Sequence, residues 1–265
     1  MTTFNRENML PIHEVLDEVK NTLLQNNTLI LQAPPGAGKS TILPTALLNE
    51  PWLKGKKIIV LEPRRLAARS VANRMAELLK EPIGKTVGYR VRFENKTSKS
   101  TRIEVVTEGI LTRKIQQDNA LEDVGLIIFD EFHERSLNAD LALALSREIQ
   151  QVLREDLKIL IMSATLAMGN LSEILDHAPV IESKGRQYPI EYIHIGENTN
   201  IPLANQINTL IKKALQEQTD GDILVFLPGV RELNKCLSLL GELPKTLRLP
   251  LYGSLSLQKQ RDAIW

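Results

Sequence analysis

A chain of 265 residues is long enough for one large or two medium domains, each with a core of its own. Its composition, 43% apolar and 25% charged with a net charge of +1, is the ordinary one of a soluble α/β protein. No apolar run is long enough to span a bilayer, the N-terminus lacks the apolar centre of an export signal, and the lone Cys236 excludes an internal disulfide or a cysteine-rich zinc site, so the expected compartment is the cytoplasm.

Short β-rich runs alternate with helical patterns from residue 28 onward. A strand at Thr28–Gln32 leads into a glycine-rich turn, and a helix is predicted over residues 40–48. Strand Lys57–Glu62 and a helix over 64–79 follow. Between Lys54 and Arg102, fourteen Lys and Arg stand against Glu62, Glu77, Glu81 and Glu94, a local net of +10 in a nearly neutral chain. That excess reads as a footprint for a phosphate backbone, or else as a solvated face offset by acidic helices elsewhere. Within it, Tyr89, Arg90, Arg92 and Phe93 could stack on or brace a nucleic-acid strand, while simple core packing accounts for the two aromatics equally well. Strands over 102–106, 125–130 and 158–162 alternate with helices over 108–117 and 138–153. Continuous Ile, Val and Leu in these strands suit parallel strands covered on both faces, so the fold class is α/β, an open parallel sheet with helices on both sides. The periodicity pauses near residues 185–200, with a strand expected at 188–194. A fresh α/β pattern then gives helix 203–218, strand 222–227, helix 231–240, strand 246–251 and a helix from Ser256. This divides the chain into a first domain over 1–195, a linker over 196–201, and the beginning of a second domain over 202–265 that is expected to be incomplete and marginal.

The turn after the first strand, Ala33-Pro34-Pro35-Gly36-Ala37-Gly38-Lys39-Ser40-Thr41, is a P-loop. Gly36 and Gly38 permit a tight backbone turn whose N–H groups, with those of Pro35's successors up to Thr41, face phosphate oxygens. Lys39 supplies a cation for the β- and γ-phosphates of ATP and is expected to be exposed when the site is empty; the Ser40 hydroxyl can ligate Mg²⁺. Ala33 stands where the pattern has its first glycine. The acidic partner comes where the run Leu126–Phe129 leaves the sheet: Asp130 is placed to hold the ion, and Glu131 to orient and polarise the attacking water.

Asp130-Glu131-Phe132-His133-Glu134-Arg135 resembles the DExH motif of the DEAH/RHA branch of superfamily 2 helicases. Glu62-Pro63-Arg64-Arg65 resembles motif Ia, Thr107-Glu108-Gly109 motif Ib, Ser163-Ala164-Thr165 motif III, and Leu224 to Gly229 motif IV, in the family's order. The resemblance implies a RecA-like P-loop NTPase domain, an incomplete second one, ATP with Mg²⁺, and a monomeric motor on single-stranded nucleic acid, RNA before DNA. It implies strand contacts at Arg64, Arg65, Arg90, Thr107, Glu108, Gly109 and Gly229, and a link between nucleotide and strand through Ser163 and Thr165, whose hydroxyls are expected to reach toward Asp130–His133. His133 reads either as a bridge from the γ-phosphate region to the second domain or as a structural residue, and Arg135 as an ion-pairing one. The family's motif V and arginine-rich motif VI are expected beyond Trp265, so the 265 residues should bind nucleotide, hydrolyse it slowly and unwind nothing. A DNA translocase, or an RNA clamp controlled by ATP without unwinding, are the alternatives.

Overall fold

The computed structural model describes residues 10–165, 170–185, 189–196, 200–217, 220–243 and 246–263. They form two compact units that divide between residues 188 and 189.

The first unit runs α1 (Ile12–Gln25), β1 (Thr28–Gln32), α2 (Ile42–Leu47), β2 (Lys57–Glu62), α3 (Arg65–Leu78), β3 (Val87–Val91), β4 (Glu94–Lys96), β5 (Ile103–Thr107), α4 (Glu108–Gln117), β6 (Val124–Phe129), α5 (Leu137–Val152), β7 (Lys158–Ser163), α6 (Leu171–Ile174) and β8 (Val180–Glu182). The strands make one sheet in the order β4-β3-β5-β2-β6-β7-β1-β8. Every neighbouring pair is parallel except β3 with β4, an antiparallel hairpin at the edge.

The unbroken apolar runs have a direct cause: β1, β2, β6 and β7 each feed two cores. Leu29, Ile58, Val60, Leu126, Ile128 and Leu160 point into the layer covered by α1, α2 and α3. Their neighbours Ile30, Ile59, Leu61, Ile127, Phe129 and Ile161 point into the layer covered by α4 and α5. Each fully enclosed Leu or Ile contributes about 1.5–3 kcal/mol, so both faces must be apolar for the sheet to hold two layers of helices. Met162 lies in the first core and needs no further role.

The β3–β4 hairpin and the edge strand β8 were not expected. Gly88 of β3 lies so near β4 that a Cβ there would fall 2.4 Å from the Lys96 carbonyl oxygen, which explains a glycine inside a strand. The hairpin buries Tyr89, while Phe93 at its tip is 90% exposed with the Arg92 guanidinium 4.7 Å above its ring. The core-packing reading therefore applies to Tyr89 and not to Phe93.

In the second unit α7 (Leu203–Glu217) and α8 (Val230–Leu240) pack around Ile211, Cys236 and Leu240, and α9 (Leu257–Asp262) follows. The strands expected over 189–194, 222–227 and 246–251 do not form: the backbone carries no ladder hydrogen bonds there, and Leu224, Phe226 and Leu247 are exposed. Apolar, β-prone runs favour an extended chain, but a strand exists only where a partner supplies its hydrogen bonds, and none is present among the described residues. Tyr188, Gln218 and Glu197 to Thr199, included in expected elements, lie outside the described residues.

Candidate nucleotide and nucleic-acid site

The P-loop leaves β1 at Gln32, and Ala33 N–H still donates to the Ser163 carbonyl at 3.0 Å, tying the loop to the end of β7. Gly36 and Gly38 take left-handed φ values of 76° and 90°, as the turn requires. The start of α1 braces the loop: Ile12 N–H donates to Ala37 O at 3.0 Å, and a Cβ on Gly38 would lie 3.0 Å from side-chain atoms of Leu10 and Ile12. Pro35 and Gly36 are exposed, Ala37 buried, Ser40 and Thr41 half-buried. The helix that follows begins at Ile42, two residues later than expected, because residues 38–41 close a turn with Ile42 N–H on Gly38 O at 2.9 Å.

Lys39 is not exposed. Its side chain is only 4% accessible, and Nζ lies 2.6 Å from Glu131 Oε1. A primary ammonium enclosed among apolar strands needs a counter-charge, and Glu131 is the acid the fold supplies.

Asp130 is buried at the exit of β6, its N–H donating to Leu61 O at 3.0 Å. Its Oδ1 accepts the Glu131 N–H at 2.8 Å. The Ser40 hydroxyl and the Glu62 carboxyl approach it closely enough to act on its charge, yet Oδ2 completes no hydrogen bond of ordinary geometry. Burial raises the Asp130 pKa, while Lys39, Ser40 and Glu62 oppose the rise. Glu62, at the end of the adjoining strand, is pushed up to about 10, by burial first and then by the charge and hydrogen bond of Asp130. Two enclosed carboxyls side by side cannot both ionise cheaply, so Glu62 keeps its proton and donates toward Asp130. The resemblance gives Glu62 no role of its own; an acid ending an apolar strand beside the Asp130 strand was the available signal.

A hard cation suits this arrangement. Mg²⁺ is commonly held by one or two carboxylates with substrate phosphates, and Asp130 Oδ2 near the Ser40 hydroxyl offers a buried oxygen that completes no hydrogen bond of ordinary geometry. No group of three or more His, Cys, Asp or Glu side chains able to hold a metal occurs among the described residues.

From Glu131 to Arg135 the chain makes a short turn. Both end residues have positive φ, 49° and 45°, a strained conformation for residues other than glycine. Phe132 between them is buried edge-on against Phe129 at 6.0 Å. Side chains then diverge. Toward the nucleotide, His133 Nδ1 lies 3.4 Å from Glu131 Oε2 and accepts the Ala164 N–H at 3.3 Å. The link to motif III is thus a backbone amide. The Ser163 hydroxyl, expected to reach Asp130–His133, instead donates to Thr165 O at 3.0 Å and accepts Thr165 N–H at 3.3 Å, because a buried hydroxyl at a strand end closes its own turn. Thr165 is exposed.

On the other side of the turn, Glu134 meets Arg64, whose Nη2 is 3.1 Å from both carboxylate oxygens. Ser136 caps α5 by accepting the Ala139 N–H at 3.0 Å and donates to Glu108 Oε1 at 2.8 Å. Arg135 pairs with Asp140 through two nitrogens at 3.1 and 3.0 Å, the ion-pairing role expected of it. A cavity of about 280 Å³ runs from Asp130 and Glu131 to Arg64, Glu108 and Glu134, so the two groups of residues share one wall.

The remaining strand residues are placed less uniformly. Arg64 and Arg65 are exposed at the start of α3; Thr107 precedes α4, Glu108 is half-buried and Gly109 exposed. Arg90 is drawn inward instead: its Nε lies 3.1 Å from buried Glu104, which also pairs with Lys114 at 3.0 Å. Gly229 precedes α8 in the second unit. Nor is the +10 segment a single basic face. Lys56, Lys57, Arg69, Arg74, Lys85 and Arg90 pair with Asp156, Asp123, Glu94, Glu77, Glu81 and Glu104, and Lys56 and Lys57 sit at the opposite end of β2 from Arg64. A count along the sequence cannot see that a strand separates its two ends. A second cavity, of about 420 Å³, lies away from all these motifs, where the Gln150 amide donates to the Asn27 carbonyl and Arg147 pairs with Asp176.

Residues 14–174, which contain the P-loop, the Asp130–Glu131 strand end and the turn after β7, match the sequence profile of the DEAD/DEAH box helicases. The chain belongs to that family. Over 260 residues it is 51% identical to the ATP-dependent RNA helicase HrpB of Escherichia coli, covering 96% of this chain and 32% of that protein. It is 36% identical over 258 residues to the ATP-dependent RNA helicase HrpA of Borreliella burgdorferi, 96% of this chain and 31% of the relative. The crystal structure of the E. coli DEAH/RHA helicase HrpB superposes with a TM-score of 0.91 at 50% identity, over 96% of this chain and 33% of the other. The RecA-like fold implied by the motif order is the observed fold of the helicase domain, and the chain spans about a third of the length of these relatives.

Proposed function

We propose that these residues form the nucleotide half-site and part of the strand track of an ATP-dependent RNA helicase or remodelling motor. The observation that carries the reading is the convergence of Lys39, Ser40, Asp130 and Glu131 at the strand ends, with Lys39 and Glu131 in contact across 92 positions of sequence. In this reading Asp130 and Ser40 hold Mg²⁺, which neutralises phosphate charge when bound. Lys39 leaves Glu131 for the β- and γ-phosphates, and Glu131, released, orients water against the γ-phosphate and takes its proton. The backbone amides of residues 35–41 cradle the phosphates, and His133 relays the γ-phosphate position to Ala164. Arg64, Arg65, Thr107 and Gly109 follow the backbone of a single strand.

The domain division over 1–195, 196–201 and 202–265 is part of the proposal, as are a monomeric motor, RNA before DNA, and a cytoplasmic setting. No described helix is long and apolar enough to cross a membrane. The names of the relatives support RNA. The 265 residues by themselves should hydrolyse ATP slowly and unwind nothing, since an arginine finger supplied from a second motor unit is worth about 10³–10⁵ in kcat. Titrating the chain with single-stranded RNA and DNA of one sequence, while following ATP binding and hydrolysis, tests the whole reading. It predicts Mg²⁺-dependent ATP binding, tighter binding of RNA than DNA, and slow turnover. A preference for DNA favours the translocase, and rapid RNA-stimulated hydrolysis by these residues contradicts the slow turnover proposed for them.

A further inference from the structure

The turn that carries Glu131 is held from both sides by ion pairs that a phosphate can break. On the nucleotide side the pair is Lys39 with Glu131 at 2.6 Å. On the strand side it is Arg64 with Glu134 at 3.1 Å. The two acids are joined directly, since Glu134 N–H donates to Glu131 O at 2.9 Å, and Phe132 is fixed in the core between them. We propose that Glu134 is a positioning residue that couples the strand to the nucleotide, an inference that rests on the strand-binding reading above. With no strand present, Glu134 is anchored on Arg64 and the turn keeps Glu131 on Lys39. A strand phosphate forms charge-assisted hydrogen bonds with the guanidinium and takes Arg64 from Glu134. The turn then loses one anchor, and Glu131 yields Lys39 to the nucleotide more readily. The exchange is feasible because the Arg64–Glu134 pair is weak: the Arg64 side chain is 72% exposed, and solvent screens such pairs heavily. The same weakness limits the coupling to about two- to fivefold in affinity. Linkage makes it reciprocal, so bound ATP tightens the strand by the same factor.

Glu134 touches neither ligand in this scheme, so its substitution separates positioning from binding. The nucleotide Kd of the 265-residue chain is measured with a fluorescent ATP analogue and Mg²⁺, with and without saturating oligouridylate, for wild type, Glu134→Gln, Glu134→Asp and Asp140→Asn. Asp140→Asn removes the Arg135 pair on the same turn and leaves Arg64 with Glu134 intact, so it reports a merely structural effect. The expected result is tightening of about two- to fivefold by RNA in wild type and in Asp140→Asn. Glu134→Gln should bind nucleotide alone as tightly as strand-bound wild type, with its coupling ratio near one, and Glu134→Asp should recover part of the ratio. A wild-type ratio in Glu134→Gln, or equal loss of coupling in Asp140→Asn, overturns the proposal. So does a wild-type chain that binds RNA without any change in nucleotide affinity. A chain that binds no strand at all overturns the functional reading instead, and this inference with it.

Discussion

Lys39, the P-loop cation, and Glu131, the acid that follows Asp130, form an ion pair at 2.6 Å. The pair satisfies an ammonium that burial would otherwise penalise, and in the proposed function it withholds both groups from the roles they would take with ATP. In that proposal nucleotide binding is an exchange of one partner of Lys39 for another.

Glu131→Gln should bind Mg²⁺–ATP at least as tightly as the wild type, because the amide competes for Lys39 less well than the carboxylate. Turnover should fall by about 10²–10⁴, the usual worth of a general base. Asp130→Asn should weaken Mg²⁺-dependent binding as well. Single-turnover hydrolysis together with equilibrium titration separates the two effects; wild-type hydrolysis by Glu131→Gln removes Glu131 from the mechanism.

Replacing Arg64 and Arg65 by Ala should weaken strand binding across sequences and lower the salt slope by about 0.7 for each phosphate that is no longer neutralised. Lys56→Ala with Lys57→Ala should leave the slope unaltered, since these lysines pair with Asp156 and Asp123 at the far end of β2. Strand affinity at four salt concentrations decides the matter. Equal slopes for both double variants would mean that the whole basic segment, and not its exposed arginines, meets the strand.

The Glu62–Asp130 pair gives a pH dependence with a definite sign. Glu62 rises from 4.5 to about 10 on folding, so between these values the folded chain holds a proton that the unfolded chain has released. Stability from this group is complete below pH 4.5 and declines as pH rises, by about 1.4 kcal/mol per unit for a full proton. Glu62→Gln keeps a donor for Asp130 and removes the linkage. Urea unfolding at about pH 5.5 and 8.5, without nucleotide or metal, should show a larger loss for wild type than for the variant. Parallel losses would show that Glu62 ionises normally in the fold.

The parallel strands were legible because burial on both faces leaves its mark in composition: Ile58 to Leu61 and Leu126 to Phe129 admit no polar residue. The P-loop and Asp130-Glu131 were legible because their chemistry demands fixed residue types at strand ends. The helix Ile12–Gln25 was not among the expected elements, although Ile12, Val15, Val19 and Leu23 carry its buried stripe. What spacing could not reveal was pairing. Lys39 is buried on Glu131, Arg90 turns in to Glu104, and the Ser163 hydroxyl is spent on its own turn, each outcome fixed by the folded surroundings and not by the motif alone. The extended stretches near Phe226 and Leu247 fail as strands for the same reason: hydrogen-bond partners are not written in the segment itself.

Titration of the chain and of Lys39→Ala with a fluorescent ATP analogue in the presence of Mg²⁺ tests the nucleotide site most directly. The wild type should bind, and the variant should lose about ten- to a hundredfold in affinity, the worth of one charge-assisted hydrogen bond, while retaining its far-ultraviolet circular dichroism. Wild-type affinity in the folded variant would contradict the assignment of the site.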